Sequence, residues 1–181
     1  MNGQYKMIKI RIHGIKDGIH EVNETVPVSE VDGMMPEFFG NVSFIGKLRK
    51  IGKRFTITGF AECQIKLICD LSLEEYTDTI SSEINVSFIA DTELFLLNKG
   101  NYDDPETERA VHEDDEFFDI SDDVREQLTV SIPMKRIAPQ YRDKTFADLH
   151  PEFSAEINDT ISDEKVQIDE RWSALKKIKL N

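Results

Sequence analysis

The two cysteines, Cys63 and Cys69, are the first candidates for chemistry, because a pair of thiols can form a disulfide or bind zinc. They lie in FTITGFAECQIKLICDLSL, residues 55–73, where apolar residues occupy the odd positions and polar residues occupy most even positions. This period of two predicts a half-buried β-strand with both thiols on the apolar face. An extended strand places the Cα atoms of Cys63 and Cys69, six residues apart, at a distance of roughly 20 Å. A disulfide needs about 7 Å or less between the two Cα atoms. We therefore predict two reduced, buried cysteines that share no metal ion.

The remaining residues with catalytic or metal-binding potential show no recognised spacing. The histidines occur without the H-x-x-x-H or H-E-x-x-H pattern of metal sites: His13, His20, His112 and His150. The sequence also contains no phosphate-binding glycine loop, nucleophile elbow or calcium loop. We predict no catalytic residue, no metal site and no cofactor, although a triad can be assembled in space from distant residues.

Charge is unevenly distributed along the 181-residue chain, whose net charge is −13. A surface this acidic disfavours non-specific nucleic-acid binding by the protein as a whole. The stretch KLRKIGKRF, residues 47–55, nevertheless holds no acid and five bases: Lys47, Arg49, Lys50, Lys53 and Arg54. This basic cluster predicts a nucleic-acid phosphate contact, or alternatively a charged hairpin tip that protects an edge strand from aggregation.

Residues 103–123 are the acidic counterpart of that cluster. We predict that Asp114, Asp115 and Glu116 contact a basic protein, with a solvated loop as the alternative. Residues 98–116 lack periodicity and predict a mobile acidic loop, and residues 138–168 predict a polar segment of low regularity.

Alternating patterns predict the elements that position these residues. They occur at residues 6–13, 42–48, 55–73 and 80–90, with a hairpin turn around Gly52 and a bend at Gly59, whereas VNETVPVSEV, residues 22–31, predicts irregular structure. A period near four predicts a helix capped by Ser121 and stopped by Pro133, and a second short helix begins after Asp169. The predicted fold is α+β in a single domain, 1–181: a coiled antiparallel meander, compatible with barrel-like closure, with two or three short helices and long polar loops.

The N-terminal residues contain no uninterrupted apolar run, and no stretch approaches the roughly 20 apolar residues of a membrane span. We therefore expect no signal peptide and no membrane association. With only two cysteines, both on a core face, a cytoplasmic protein is the economical interpretation.

Three motifs in this order resemble the YceD family, the large ribosomal RNA subunit accumulation proteins. The motifs are GFAECQIKLIC (Gly59 to Cys69), DISDDVREQLTVSIP (Asp119 to Pro133) and IDERWSAL (Ile168 to Leu175). The resemblance implies family roles for Gly59, Cys69, Pro133, Asp169, Arg171 and Leu175. The chain departs from the family where Cys-x-Arg-Cys would follow, in lacking a cysteine cluster after Pro133, and in having Glu170 in place of proline. A family zinc site is therefore not expected in this cysteine-poor chain.

The resemblance implies a process, accumulation of large-subunit (23S) rRNA, more firmly than a reaction. The first hypothesis is a non-enzymatic ribosome-biogenesis factor that binds rRNA, a large-subunit precursor particle or a basic ribosomal protein. Arg171 and Trp172 are then either an exposed partner-binding pair or a packed C-terminal anchor. The alternative hypothesis is a metal-dependent hydrolase or nuclease of rRNA processing that uses clustered carboxylates.

Overall fold

A computed structural model describes residues 8–97 and 109–153 of the chain. The chain divides into two compact units, residues 1–138 and 139–181. Within these described residues, seven strands lie in the first unit: β1 (Lys9–Arg11), β2 (Gly18–Pro27), β3 (Phe38–Ile51), β4 (Arg54–Ile68), β5 (Glu75–Ala90), β6 (Arg109–Val111) and β7 (Phe117–Asp119). The described part of that unit also contains the α-helices α1 (Thr92–Leu97) and α2 (Ser121–Val130) and a 3₁₀ turn at Val28–Glu30. The described part of the second unit contains a 3₁₀ turn, Pro139–Tyr141, and helix α3 (Phe146–Leu149).

The main sheet has the strand order β2-β3-β4-β5-β6. The first four strands form an antiparallel meander, and β6 pairs in parallel with the end of β5. Within the described residues the sheet stays open, with β2 and β6 at its edges, so it does not close into a barrel. The α+β class and the antiparallel meander with short helices are confirmed.

The hydrophobic core lies on one face of this meander, which we call the inner face. Long strands alternate strictly here, so Phe44, Leu48, Ile57, Ile84 and Phe88 are buried while their neighbours point outward. The two-stranded sheet of β1 and β7 and helix α2 contribute to the same core: Ile8, Ile10, Phe118, Ile120, Val124 and Leu128. The opposite side of the meander, carrying the intervening residues, is the outer face.

Strands β3 and β4 approach each other unusually closely at a pair of glycines, Gly46 and Gly59, which face each other in the register. A Cβ atom on Gly59 would lie 2.5 Å from the Cα atom of Gly46 and 2.9 Å from the ring of Phe44. Only glycine fits this approach, and the Phe44 ring occupies the space that two side chains would need. Gly59 thus marks a close approach of two strands, while the bend expected at this residue stays a prediction.

Several predicted boundaries are corrected by the structure. Residues 22–31 are not irregular, because most of them belong to β2, which pairs with β3 over ten residue pairs from Gly18↔Lys50 to Pro27↔Asn41. Strand β4 ends at Ile68 rather than at residue 73, so Cys69 lies just beyond it. A register shift occurs in β3, between Phe39 and Val42, and β4 pairs with β5 without any slip.

Other predictions meet the structure only in part or lie outside its described residues. Residues 109–111 form β6, so a loop throughout 98–116 is wrong there, while residues 98–108 lie outside the described part of the chain. Helix α2 begins at Ser121, but the Ser121 hydroxyl accepts a hydrogen bond from the Ile8 N–H (2.8 Å) and does not cap the helix. Of the polar segment 138–168, only residues up to 153 are described, and the predicted helix after Asp169 lies outside the described residues.

Candidate nucleic-acid interface

The basic cluster lies on the β3–β4 hairpin, whose turn is Gly52 and Lys53, but the hairpin does not present its cations as one group. Alternation along the strands places Lys47, Arg49 and Arg54 on the outer face, where all three are exposed. Arg49 pairs with Thr56, and Arg54 pairs with Ile51, so the two guanidinium-bearing residues are diagonal neighbours across the strands. We call Lys47, Arg49 and Arg54 the outer basic triad.

Lys50 lies on the inner face, because it has the same parity as the buried Leu48. Its ammonium donates a hydrogen bond to the carbonyl oxygen of Ile15 (2.6 Å) and lies 5.4 Å from the centre of the Phe55 ring. These contacts hold the half-buried Lys50 side chain against the fold. Lys50 is therefore separated from the outer basic triad by the thickness of the sheet.

Lys53 forms an ion pair with Glu113, which belongs to the acidic residues 103–123. Its ammonium lies 2.5 Å from Oε1 of Glu113, and the hydrogen bond and charge of Glu113 raise the pKa of Lys53. The backbone supports this contact, since the Ala90 N–H donates to the Lys53 carbonyl (2.8 Å) and the Asp91 N–H donates to the Val111 carbonyl (3.0 Å). The hairpin tip and the acidic segment, which the sequence suggests for separate partners, thus lie side by side.

The predicted protein-binding acids, Asp114, Asp115 and Glu116, belong to a hydrogen-bonded turn between β6 and β7. The Asp115 carboxylate accepts the His112 N–H (3.0 Å), and the Glu116 carbonyl accepts the Ile12 N–H (2.9 Å). Asp114 extends into solvent with its side chain 93% exposed. Hydrogen bonds therefore hold the backbone of this turn, while the Asp114 carboxylate is accessible to a partner.

The centre of the outer face is apolar, which the sequence pattern does not predict. Phe60 of β4 and Ile45 of β3 face each other in the register, and their side chains are 57% and 62% exposed. They line a shallow groove of about 530 Å³ together with Lys47 and Thr58. A signal for this patch is present in the sequence, because Phe60 and Ile68 are the apolar exceptions among the even positions of residues 55–73.

Both cysteines are buried and unpaired by a disulfide, as predicted. Burial raises the pKa of Cys63 to about 11. At Cys69 burial also raises the pKa, but hydrogen bonds from the Ala138 N–H and from Ser72 and Leu71 outweigh it and lower the pKa to about 7. The Cys69 sulfur accepts the Ala138 N–H at 3.4 Å, and the neighbouring Asp70 N–H donates to the Arg136 carbonyl (2.7 Å). Cys69 thereby ties the chain after α2 to the end of β4.

The described residues offer no grouping that would hold a metal ion. Within residues 8–97 and 109–153, no three His, Cys, Asp or Glu side chains converge in this way. Over the same residues, no helix combines the length and the apolar composition that crossing a bilayer requires.

Comparison with protein families gives a match over most of the chain. A family model described as "Large ribosomal RNA subunit accumulation protein YceD" matches residues 57–179. The chain belongs to the YceD family. Comparison with curated proteins and with solved structures gives no match. The matched region begins within β4, so the outer basic triad lies just before it.

The family motifs have distinct structural roles where they are described. Gly59 permits the close approach of β3 and β4, and Cys69 holds the Ala138 amide. Pro133 follows helix α2, whose last residue is Val130, and is exposed. Asp169, Arg171, Trp172 and Leu175 lie outside the described residues.

Proposed function

We propose that this YceD-family protein is a non-enzymatic ribosome-biogenesis factor that supports accumulation of large-subunit (23S) rRNA by binding that RNA directly. The family description supplies the process. The observation that carries the direct contact is the outer basic triad, three exposed cations on one open sheet face of a protein with net charge −13. An anionic partner is complementary in charge to this outer face.

The position of each base on the hairpin narrows the predicted contact residues. Lys50 lies on the inner face against Ile15, and Lys53 is ion-paired with Glu113 at the turn, so we assign both to the support of the hairpin. Lys47, Arg49 and Arg54 share the outer face and are the phosphate-contacting residues of the proposal. Three phosphate contacts predict that the logarithm of affinity falls with the logarithm of salt concentration with a slope of roughly −2 to −3. Binding of RNA should therefore be modest and strongly salt-dependent.

The acidic turn supports a secondary contact with a basic ribosomal protein. Asp114 is exposed, and ribosomal proteins that coat rRNA carry the complementary charge. The Lys53–Glu113 ion pair places this turn beside the hairpin tip. Its carboxylates would repel RNA phosphates at the tip and so favour binding on the outer face. The hydrolase alternative gains no support from the described residues, whose carboxylates do not converge with His or Cys on a metal-binding position.

The test is co-sedimentation with large-subunit precursors from cells in which the protein is tagged. The variant K47E/R49E/R54E should leave these particles and should fail to restore 23S rRNA in cells that lack the protein. The control K9E/K16E/K135E changes the net charge equally at scattered exposed sites outside β3 and β4, and it should behave as the unmodified protein. Retention of K47E/R49E/R54E on the particles would contradict the proposal.

A further inference from the structure

The apolar pair Phe60 and Ile45 lies at the centre of the outer face among polar neighbours. Phe60 is flanked along β4 by Thr58 and Glu62, all of which point outward. An aromatic ring that remains more than half exposed contributes little to folding through burial. Single exposed apolar residues are ordinary, but here an exposed ring and an exposed aliphatic side chain line one groove together with Lys47.

The outer basic triad continues from this pair in one direction. Lys47 is two residues along β3 from Ile45, Arg49 is four, and Arg54 is six residues along β4 from Phe60. At about 3.3 Å per residue, the cations lie at successive distances of roughly 7, 13 and 20 Å from the apolar pair. This arrangement is complementary to a nucleic-acid strand, in which a base can stack on the ring and the regularly spaced phosphates can contact the cations.

Two carboxylates border this track. Glu21 of β2 faces Lys47, and Glu83 of β5 faces Phe60. Both are exposed on the outer face. Because they repel phosphate, a bound polyanion is confined to the path over β3 and β4 between them.

We propose that the outer face binds single-stranded RNA, with one base stacked on Phe60 against Ile45 and the following phosphates held by Lys47, Arg49 and Arg54. This deepens the proposed function and depends on it. In double-stranded RNA the bases are already stacked inside the helix, so a shallow sheet with a protruding ring favours unpaired nucleotides. The cations favour RNA over a basic protein as the occupant, since a basic protein would be repelled by them.

The test measures binding of fluorescently labelled single-stranded RNA, a 12-nucleotide oligouridine and an oligoadenine, by anisotropy at fixed salt. F60A should weaken binding by about 5- to 150-fold, the range set by loss of one base–aromatic stacking contact. The logarithmic salt slope should stay unchanged, because no phosphate contact is lost. F60Y keeps the ring and should restore binding, and F117A, at an exposed phenylalanine of β7, is the matched control.

The charge variants separate this inference from the proposed function. K47E/R49E/R54E should abolish binding of both oligonucleotides, and E83Q should strengthen it, because a bordering carboxylate is removed. If F60A binds single strands as tightly as the unmodified protein while K47E/R49E/R54E does not, stacking is refuted and the phosphate contact stands. If neither variant changes binding, both base stacking on Phe60 and the phosphate contact of the outer basic triad are refuted.

Three further outcomes would also overturn the inference. Double-stranded RNA of equal length binding as tightly as the single strand would show that no unpaired base is needed. Inorganic polyphosphate losing affinity with F60A would show that the ring acts on the fold and not on a base. Capture of a protein that depends on Phe60, with no binding of RNA, would assign the face to a protein partner.

Discussion

Replacing Gly59 by alanine should strongly destabilise the first unit, because the new methyl group would have no space. Its Cβ would lie 2.5 Å from the Gly46 Cα and would also collide with the Ile45 carbonyl oxygen, and both of these are backbone atoms. No rotamer change relieves these contacts, so β3 and β4 must separate locally. Overpacking of this kind costs about 1–3 kcal/mol.

The separation also weakens the ladder hydrogen bonds beside the glycine pair, each of which contributes about 0.5–1.5 kcal/mol. Reduced freedom of the unfolded chain offsets about 0.4–1 kcal/mol, so the expected net loss for G59A, with two such bonds weakened, is about 1–5 kcal/mol. Urea unfolding followed by far-ultraviolet circular dichroism measures it. The control G52A tests conformational strain alone, because Gly52 has φ of +60° and a Cβ atom there would meet nothing within 4 Å. A loss of unfolding free energy below about 1 kcal/mol for G59A, which is less than the smallest expected overpacking cost, would refute the close-approach explanation.

Three other predictions concern the core and the cysteine. L128A should cost about 2–5 kcal/mol in urea unfolding, because Leu128 of α2 is fully buried, whereas V130A, at a 79% exposed residue of the same helix, should cost little; a small loss for L128A would mean that α2 does not pack on the core. C69A should destabilise more than C69S, because alanine leaves the buried Ala138 N–H without its acceptor while serine keeps one; the reverse order would show that apolar packing dominates at this site. The Cys69 pKa of about 7 lies below the usual thiol value, so ionisation of Cys69 stabilises the folded state above about pH 9, and this stabilisation is lost as pH falls through 7. Thiolate absorbance at 240 nm should show a midpoint near pH 7 that C69S removes and C63S retains. A midpoint unaffected by C69S would contradict the assignment.

The sequence predicts the central meander well because its strands alternate over long, half-buried stretches. From residue 55 to residue 68 the apolar residues stay on the odd positions, and these positions form the inner face of β4. Strand β2 is missed because it is an edge strand whose half-buried positions include Glu24 as well as Val22, which blurs the alternation. Strand β6 is missed because three residues are too few to show any period.

The candidate site is only partly predictable for a related reason. A run of five bases identifies the hairpin, but strand alternation and tertiary contacts decide which of them face outward. Lys50 finds the Ile15 carbonyl 35 residues away, and Lys53 finds Glu113 60 residues away, and no local pattern reports such pairs. Phe60 is visible in the sequence as an apolar exception to the alternation of β4, but its exposure is known only from the structure.

Ultraviolet crosslinking of the tagged protein to RNA in purified large-subunit precursors, followed by mass spectrometry of the crosslinked peptides, tests the RNA-binding face most directly. The proposal predicts nucleotide adducts on peptides that span residues 45–60, with Phe60 as a crosslinked residue, and loss of these adducts in K47E/R49E/R54E but not in K9E/K16E/K135E. Adducts confined to other parts of the chain, with none on β3 or β4, would contradict the proposal that the outer face binds rRNA.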